Sequence, residues 1–241
     1  MKFKKFLKYI LFFLLIISLS FLCSFSSKRN YNKKVKEVVV EFDAGDNNFL
    51  THAMVNKLLI QNDSTVKNQT KSVINLHDLE KKVSKNPFVK SAAVFLTING
   101  VLKSTIKQRT PIARVINNDN SYYVDKEGVS FPLSDNFTAR VMLVFGVESD
   151  DDIKEVLPFL SIVYNDKFLK EEVIGIERKS NGEYQLSVRS GDYKIDFGKL
   201  TEIDVKIKKL KAFYNTVFED KTIKDYKRIN VKYHNQVVCT K

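Results

Sequence analysis

The chain has 241 residues, of which 44% are hydrophobic, with 18 Phe, 4 Pro and 8 Gly. That is enough for one or two packed domains and excludes a low-complexity or collagen-like chain. The net charge is +12; Lys2, Lys4, Lys5 and Lys8 precede an apolar stretch, which leaves 36 basic against 28 acidic residues, a net +8. Such a surface suits anionic lipid headgroups or an acidic partner, or is a plain solvated face. Nucleic acid is set aside, because the basic residues are spread along the chain rather than clustered. Cys23 lies inside the apolar run and Cys239 stands alone, a pattern that gives neither a disulfide framework nor a zinc site.

Residues 9–27, from Tyr9 to Ser27, carry no charge and are rich in Leu, Ile and Phe. A bilayer core of about 30 Å needs about 20 such residues in a helix. The lysines before the run fit an N-terminus kept in the cytoplasm. Lys28, Arg29, Lys33, Lys34 and Lys36 follow it, so charge bias alone is ambiguous. Long C-terminal regions translocate largely regardless of flanking charge, which favours N-in, C-out. A cleaved signal peptide is the rival, since Ser24-Phe25-Ser26 has cleavage-like spacing. The run is longer than a usual signal core and lacks Ala, so an anchor is preferred. Residues 29–34 read as a polar linker.

Residues 35–42 alternate and are β-branched, which predicts a strand. Residues 48–60 predict a helix, with Phe49, Ala53, Leu58 and Leu59 near one side. Residues 61–72 form a polar loop. Asn75 with Asp78 makes a capping-box pattern, and Leu76, Leu79 and Val83 follow at helical spacing. Pro87 ends that helix. Residues 88–98 and 101–109 predict two strands around Asn99-Gly100. A three-residue loop including Val101 joins Val94, Leu96 and Ile98 to Leu102 and Ile106 on one face and leaves Lys103 and Lys107 wet. The order so far is β-α-α-β-β.

After Pro111 the pattern turns to short strands, at 112–115, 122–124, 129–131 and 139–147. An amphipathic helix over 150–164 opens on Asp150, Asp151 and Asp152, and Pro158 should kink or interrupt it. Strands at 173–178, 183–189 and 193–197 follow with turns at Asn181-Gly182 and Ser190-Gly191. Thr201 and Asp204 suggest a capping box for a helix carrying Ile203, Ile207, Leu210, Phe213 and Val217 on one face. A last strand at 228–233 alternates, and 236–239 can extend it. The fold class is α+β, with a mainly antiparallel sheet in the second half.

The run Asn86-Pro87-Phe88-Val89, then Ala92, Val94, a strand from Leu102 to Ile106 and Pro111-Ile112-Ala113, resembles a POTRA (polypeptide-transport-associated) domain as found in the bacterial cell-division family FtsQ/DivIB. Tyr123-Val124-Asp125-Lys126-Glu127-Gly128-Val129-Ser130-Phe131 is similar to the start of that family's second domain, and Arg228 to Val238 matches its end in kind. The chain departs from the pattern where Phe88 stands for a frequent Trp and Gln108 for a frequent acidic residue. The resemblance implies a cytoplasmic tail at 1–8, a transmembrane helix at 9–27, a linker at 28–34, a POTRA-like domain at 35–110 and a C-terminal β domain at 111–241. It implies a non-catalytic divisome scaffold in the cytoplasmic membrane at the septum, with FtsB/DivIC-like and FtsL-like partners and no cofactor. Phe88, Val89, Arg109 and Pro111 match its recruitment region.

A partner strand can add to the unpaired groups of an edge strand. Tyr233, Gln236, Val237 and Val238 are the candidates for such an edge, against the alternative of an ordinary core-facing strand. The histidines His52, His77 and His234 lie in separate predicted elements, and no H-E-x-x-H, G-x-S-x-G or phosphate-cradling glycine loop is present. A POTRA-containing component of outer-membrane assembly or secretion is the alternative function, though no series of membrane strands follows.

Overall fold

A computed structural model describes residues 2–43, 49–59, 66–117, 120–219, 222–234 and 236–241, with side chains described from Leu7 onward. The chain divides into two compact units, Met1–Gln108 and Arg109–Lys241.

The first unit opens with α1 (Lys2–Tyr31), of which Leu7–Tyr31, 25 residues, is long and apolar enough to cross a membrane. At 1.5 Å per residue that stretch spans about 38 Å. The stretch expected as a linker begins inside this helix, because Lys28 and Arg29 form its last turn. Basic side chains there suit the negative end of the helix dipole.

Then come β1 (Glu37–Phe42), α2 (His52–Leu58), α3 (Leu76–Ser84), β2 (Val89–Leu96) and β3 (Val101–Gln108). The predicted β-α-α-β-β order is the observed one. The sheet order is β1-β3-β2, with β1 parallel and β2 antiparallel to β3. Asn75 caps α3 by accepting from the Asp78 N–H, and the two side chains also bond at 2.6 Å. The helix expected over 48–60 is shorter, because Thr51 caps it by accepting from the Met54 N–H. Ala53 is exposed there and Val55 is the buried residue, while positions 48, 60 and 61–65 lie outside the described residues.

The hairpin register pairs Leu96 with Leu102, Val94 with Ser104 and Ala92 with Ile106, so the predicted faces meet. The loop itself is shifted by one residue. The Thr97 N–H donates to the Val101 carbonyl at 2.9 Å, so Ile98, Asn99 and Gly100 form the loop and Ile98 is 80% exposed. Lys103 and Lys107 bond Glu41 and Asp43 on the outer face.

Ser104 is a polar residue on the inner face, fully buried between Leu102 and Ile106, and its hydroxyl has no hydrogen-bond partner among the described residues. A buried orphan hydroxyl costs free energy that an apolar replacement does not. We expect Ser104→Ala to raise stability by about 1 kcal/mol, read as an increased urea midpoint at unchanged slope.

Gln108 shows the opposite balance. Its Oε1 accepts from the Phe49 and Leu50 N–H groups, both at 3.0 Å, and its Nε2 donates to the Leu50 carbonyl. The amide thus ties the approach to α2 onto β3, and a carboxylate at this position could not make the donating bond. Gln108→Ala leaves two buried N–H groups unpaired, so we expect a loss of about 3 kcal/mol by denaturant titration.

The second unit holds β4 (Pro111–Asn117), β5 (Asn120–Asp125), β6 (Ser130–Pro132), β7 (Met142–Phe145), α4 (Asp150–Asn165), α5 (Lys167–Glu172), β8 (Val173–Arg178), β9 (Tyr184–Val188), β10 (Lys194–Gly198), α6 (Ile203–Glu219), β11 (Arg228–Asn230) and β12 (Val238–Thr240). Among the described residues the strands form a nine-stranded sheet ordered β12-β11-β10-β9-β8-β7-β4-β5-β6. Most pairings are antiparallel, but β4 with β7, β7 with β8, and β10 with β11 run parallel. The core gathers Ile112, Val115, Val144 and Ile176 from the sheet with Phe159 and Leu160 of α4 and Leu210 and Tyr214 of α6.

Pro158 does not interrupt α4, since Val156, Phe159 and Leu160 around it are buried and hold the helix by packing. Ser149 and Asp152 form a reciprocal capping box at its start. The Ser149 hydroxyl bond is the main reason that Asp152 titrates below the usual carboxylate range. Thr201 and Asp204 do not play that part at α6. There Glu202, at φ 51°, accepts the first helical bond from Lys206.

Candidate functional site

The closing segment of the chain decides where a partner strand could add. β11 lies between β10 and β12, parallel to the first and antiparallel to the second. The strand expected over 228–233 is therefore an interior strand, and its backbone is already shared with two neighbours. It also stops early. Asn230 Oδ1 accepts from the Lys232 N–H at 3.0 Å, a local turn that bends the chain out of the ladder. Lys209 of α6 fixes the bend by donating to the carbonyls of Val231, at 3.0 Å, and Tyr233. Lys232 in turn reaches Glu183 in the β8–β9 connection at 3.0 Å. That bond is the main reason that Glu183 titrates below the usual carboxylate range.

The free rim belongs to β12. It pairs through Arg228 with Thr240, Ile229 with Cys239 and Asn230 with Val238, and it has no strand beyond it among the described residues. Ile229 is buried, and Cys239 packs on the same core, where burial raises its thiol pKa. Val238 points the other way and is 42% exposed. Val237 packs partly against the core, and Gln236 is exposed. Tyr233 lies outside both strands, in the bend, and is 51% exposed. The four candidate residues thus share one hairpin, with Val238 on the rim and the other three leading into it. Sequence reasoning missed Lys209, whose helical position gives no hint that it holds a distant turn.

Lys206, three residues earlier on the same helix, is buried and donates to the Lys199 carbonyl at 2.7 Å over the Phe197 ring. Burial lowers its pKa. This lysine anchors the start of α6 rather than the rim.

Each of the other four predicted site residues has partners within its own unit. Phe88 stacks on buried Phe49 at 5.5 Å with rings 5° from parallel, and Val89 is buried in the first unit's core. In the second unit Pro111 is buried in β4, and Arg109 donates to Asp125 at 2.6 Å. Asp125 also accepts from the Glu127 and Val129 N–H groups, both at 2.9 Å, and Gly128 sits at φ 78°. The motif from Val124 to Phe131 is therefore a carboxylate-wrapped turn that turns β5 into β6. Arg109 is the cation that neutralises it.

His52, His77 and His234 are exposed in three separate places. Among the described residues no group of three His, Cys, Asp or Glu side chains is placed to hold a metal ion.

Two family comparisons match the chain. The description "POTRA-like domain" covers residues 33–107, and "FtsQ/DivIB, C-terminal related" covers residues 110–240. The second alone spans more than half of the chain. The chain belongs to the FtsQ/DivIB family. Domains of the FtsQ/DivIB family are non-catalytic scaffolds of cell division, and their partners are membrane division proteins. The apolar α1 fits a single-pass anchor for a member of this family. A search of curated proteins gives no match.

Proposed function

We propose that this chain is a non-catalytic divisome scaffold that captures FtsB/DivIC-type and FtsL-type proteins by adding a partner strand to β12, and thereby regulates septal peptidoglycan synthesis. α1 crosses the cytoplasmic membrane with its N-terminus inside, and the POTRA-like domain (35–110) and the β domain (111–241) lie outside the cytoplasm. The lysines ahead of the apolar run support that orientation.

The observation that carries the reading is the position of β12 as the last strand of a nine-stranded sheet, with Val238 facing outward. Backbone N–H and C=O groups on such a rim supply affinity, and alternate side chains supply register. The test is cross-linked capture from membranes with the full chain as bait. Recovery of the two small division proteins supports the reading. Recovery of unfolded β-barrel clients instead would move the chain to outer-membrane assembly, and recovery of neither would overturn the proposal.

A further inference from the structure

The parallel pairing of β4, β7 and β8 brings the starts of these three strands to one end of the second unit's sheet. β9 runs antiparallel to β8, so its last residues reach the same end. A cavity of about 320 Å³ opens there. Its apolar wall includes Met142, Val163 and Val173, all buried. Arg140, just before β7, Arg189, just after β9, and Lys170 of α5 also line it, and all three are exposed.

These cations are not among those that the unit already pairs with its own carboxylates. Arg109, Arg178, Lys179, Lys211, Arg228 and Lys232 each face a carboxylate. Among the described residues no carboxylate side chain pairs with Arg140, Lys170 or Arg189, and Lys170 instead sits 4.3 Å from the centre of the Tyr164 ring. Three like charges around an apolar floor repel one another, and an anion placed among them removes that cost. Guanidinium groups bind carboxylates through paired N–H donors.

We propose that this groove binds an acidic segment of a partner protein, with a carboxylate side chain among Arg140, Lys170 and Arg189 and a neighbouring apolar side chain against Met142, Val163 and Val173. The cavity matches the low end of ligand-site volumes, which suits one or two side chains and not the paired acyl chains of a phospholipid. The inference rests on the scaffold reading of the chain but not on where β12 docks.

The full chain, methyl-labelled and held in phosphatidylcholine nanodiscs, is titrated with acetyl-Leu-Glu-Leu-amide and with its Gln counterpart. The Glu probe is expected to shift the methyl signals of Met142, Val163 and Val173 saturably. The Gln probe is expected to bind at least about fivefold more weakly, since it lacks the charge that the arginines grip. Arg140→Glu with Arg189→Glu should abolish the shifts and leave the methyl spectrum elsewhere in the unit unchanged. Equal binding of the two probes, or no saturable shift, overturns the proposal. So does a response to phosphatidylglycerol vesicles alone, which assigns the groove to a lipid surface, and so do shifts that follow protein concentration without probe, which assign it to a second copy. A flat titration leaves capture through β12 untouched, and failure of that capture leaves the titration untouched, so the two readings fall separately.

Discussion

Removal of residues 236–241 is expected to reduce capture of the division partners to background, while α1 still delivers the chain to the membrane. The deletion takes away β12 and leaves β11 as the outermost strand. The new rim is not equivalent. β11 carries Arg228 and Asn230 on the face where Val238 and Thr240 stood opposite them, and it ends in the Asn230 turn held by Lys209. Partner backbone bonds would therefore meet a different register and a different side-chain row. A subtler variant separates docking from folding. Ile229 bonds β10, so Asn230 and Val238 bond each other and the outward N–H of β12 is that of Cys239. Cys239→Pro removes it, and a partner relying on the rim should lose most of its capture. Full capture by both variants, measured by cross-linking from membranes, would sink strand addition at this edge. Circular dichroism with a retained thermal transition checks that the rest of the unit stays folded.

The second large effect concerns a buried polar knot under the same sheet. Glu172 Oε1 accepts from Ser190 and from Tyr214 at 3.2 Å, and the Tyr193 hydroxyl, 3.3 Å from the same oxygen, donates to Tyr214 at 2.8 Å. Glu172, Tyr193 and Tyr214 are all buried. Glu172→Ala leaves those hydroxyls without their common acceptor and opens a cavity, so we expect a loss of about 3 kcal/mol or more in urea unfolding. Tyr214→Phe keeps the ring packing and should cost about 1–2 kcal/mol.

The same knot sets an alkaline limit. Burial is the main cause that pushes Tyr193 up to about 12 and Tyr214 higher still, and burial followed by the nearby Glu155 carboxylate pushes Tyr184 up to about 12. A raised folded-state pKa means that the fold favours the protonated hydroxyl. Its stabilisation is complete below the unfolded value of 10.0 and is lost as pH rises toward the folded value. The buried tyrosines should ionise only above pH 10, together with loss of near-ultraviolet dichroism. Smooth ionisation of every tyrosine near pH 10 with the fold intact would contradict the burial of this cluster.

The first unit was largely legible in the sequence because its signals are local. Asn75 and Asp78 cap α3, Pro87 follows it, and the spacing of Val94, Leu96, Leu102 and Ile106 fixes which faces of the hairpin meet. Ile98 escaped, since parity does not say which three residues form the loop. In the second unit the strands were visible but their neighbours were not. Pairing of β4 with β7, or of β10 with β11, joins segments far apart in the chain, and no residue in either marks the other. The rim suffered from the same limit. Arg228 to Tyr233 alternates like one strand, yet the carboxamide of Asn230 and the ammonium of Lys209 end it after three residues and hand the edge to Val238. Phe88 and Arg109 are conspicuous in sequence, but one is matched to Phe49 and the other to Asp125.

The outermost ribbon is only three residues long. So brief a stretch offers an incoming strand few main-chain bonds, each worth about 0.5–1.5 kcal/mol net. Such a grip is easily undone, which suits machinery that must assemble and disband at every round of division. It also leaves little template for two copies of this chain to zip together side by side and clump at the membrane.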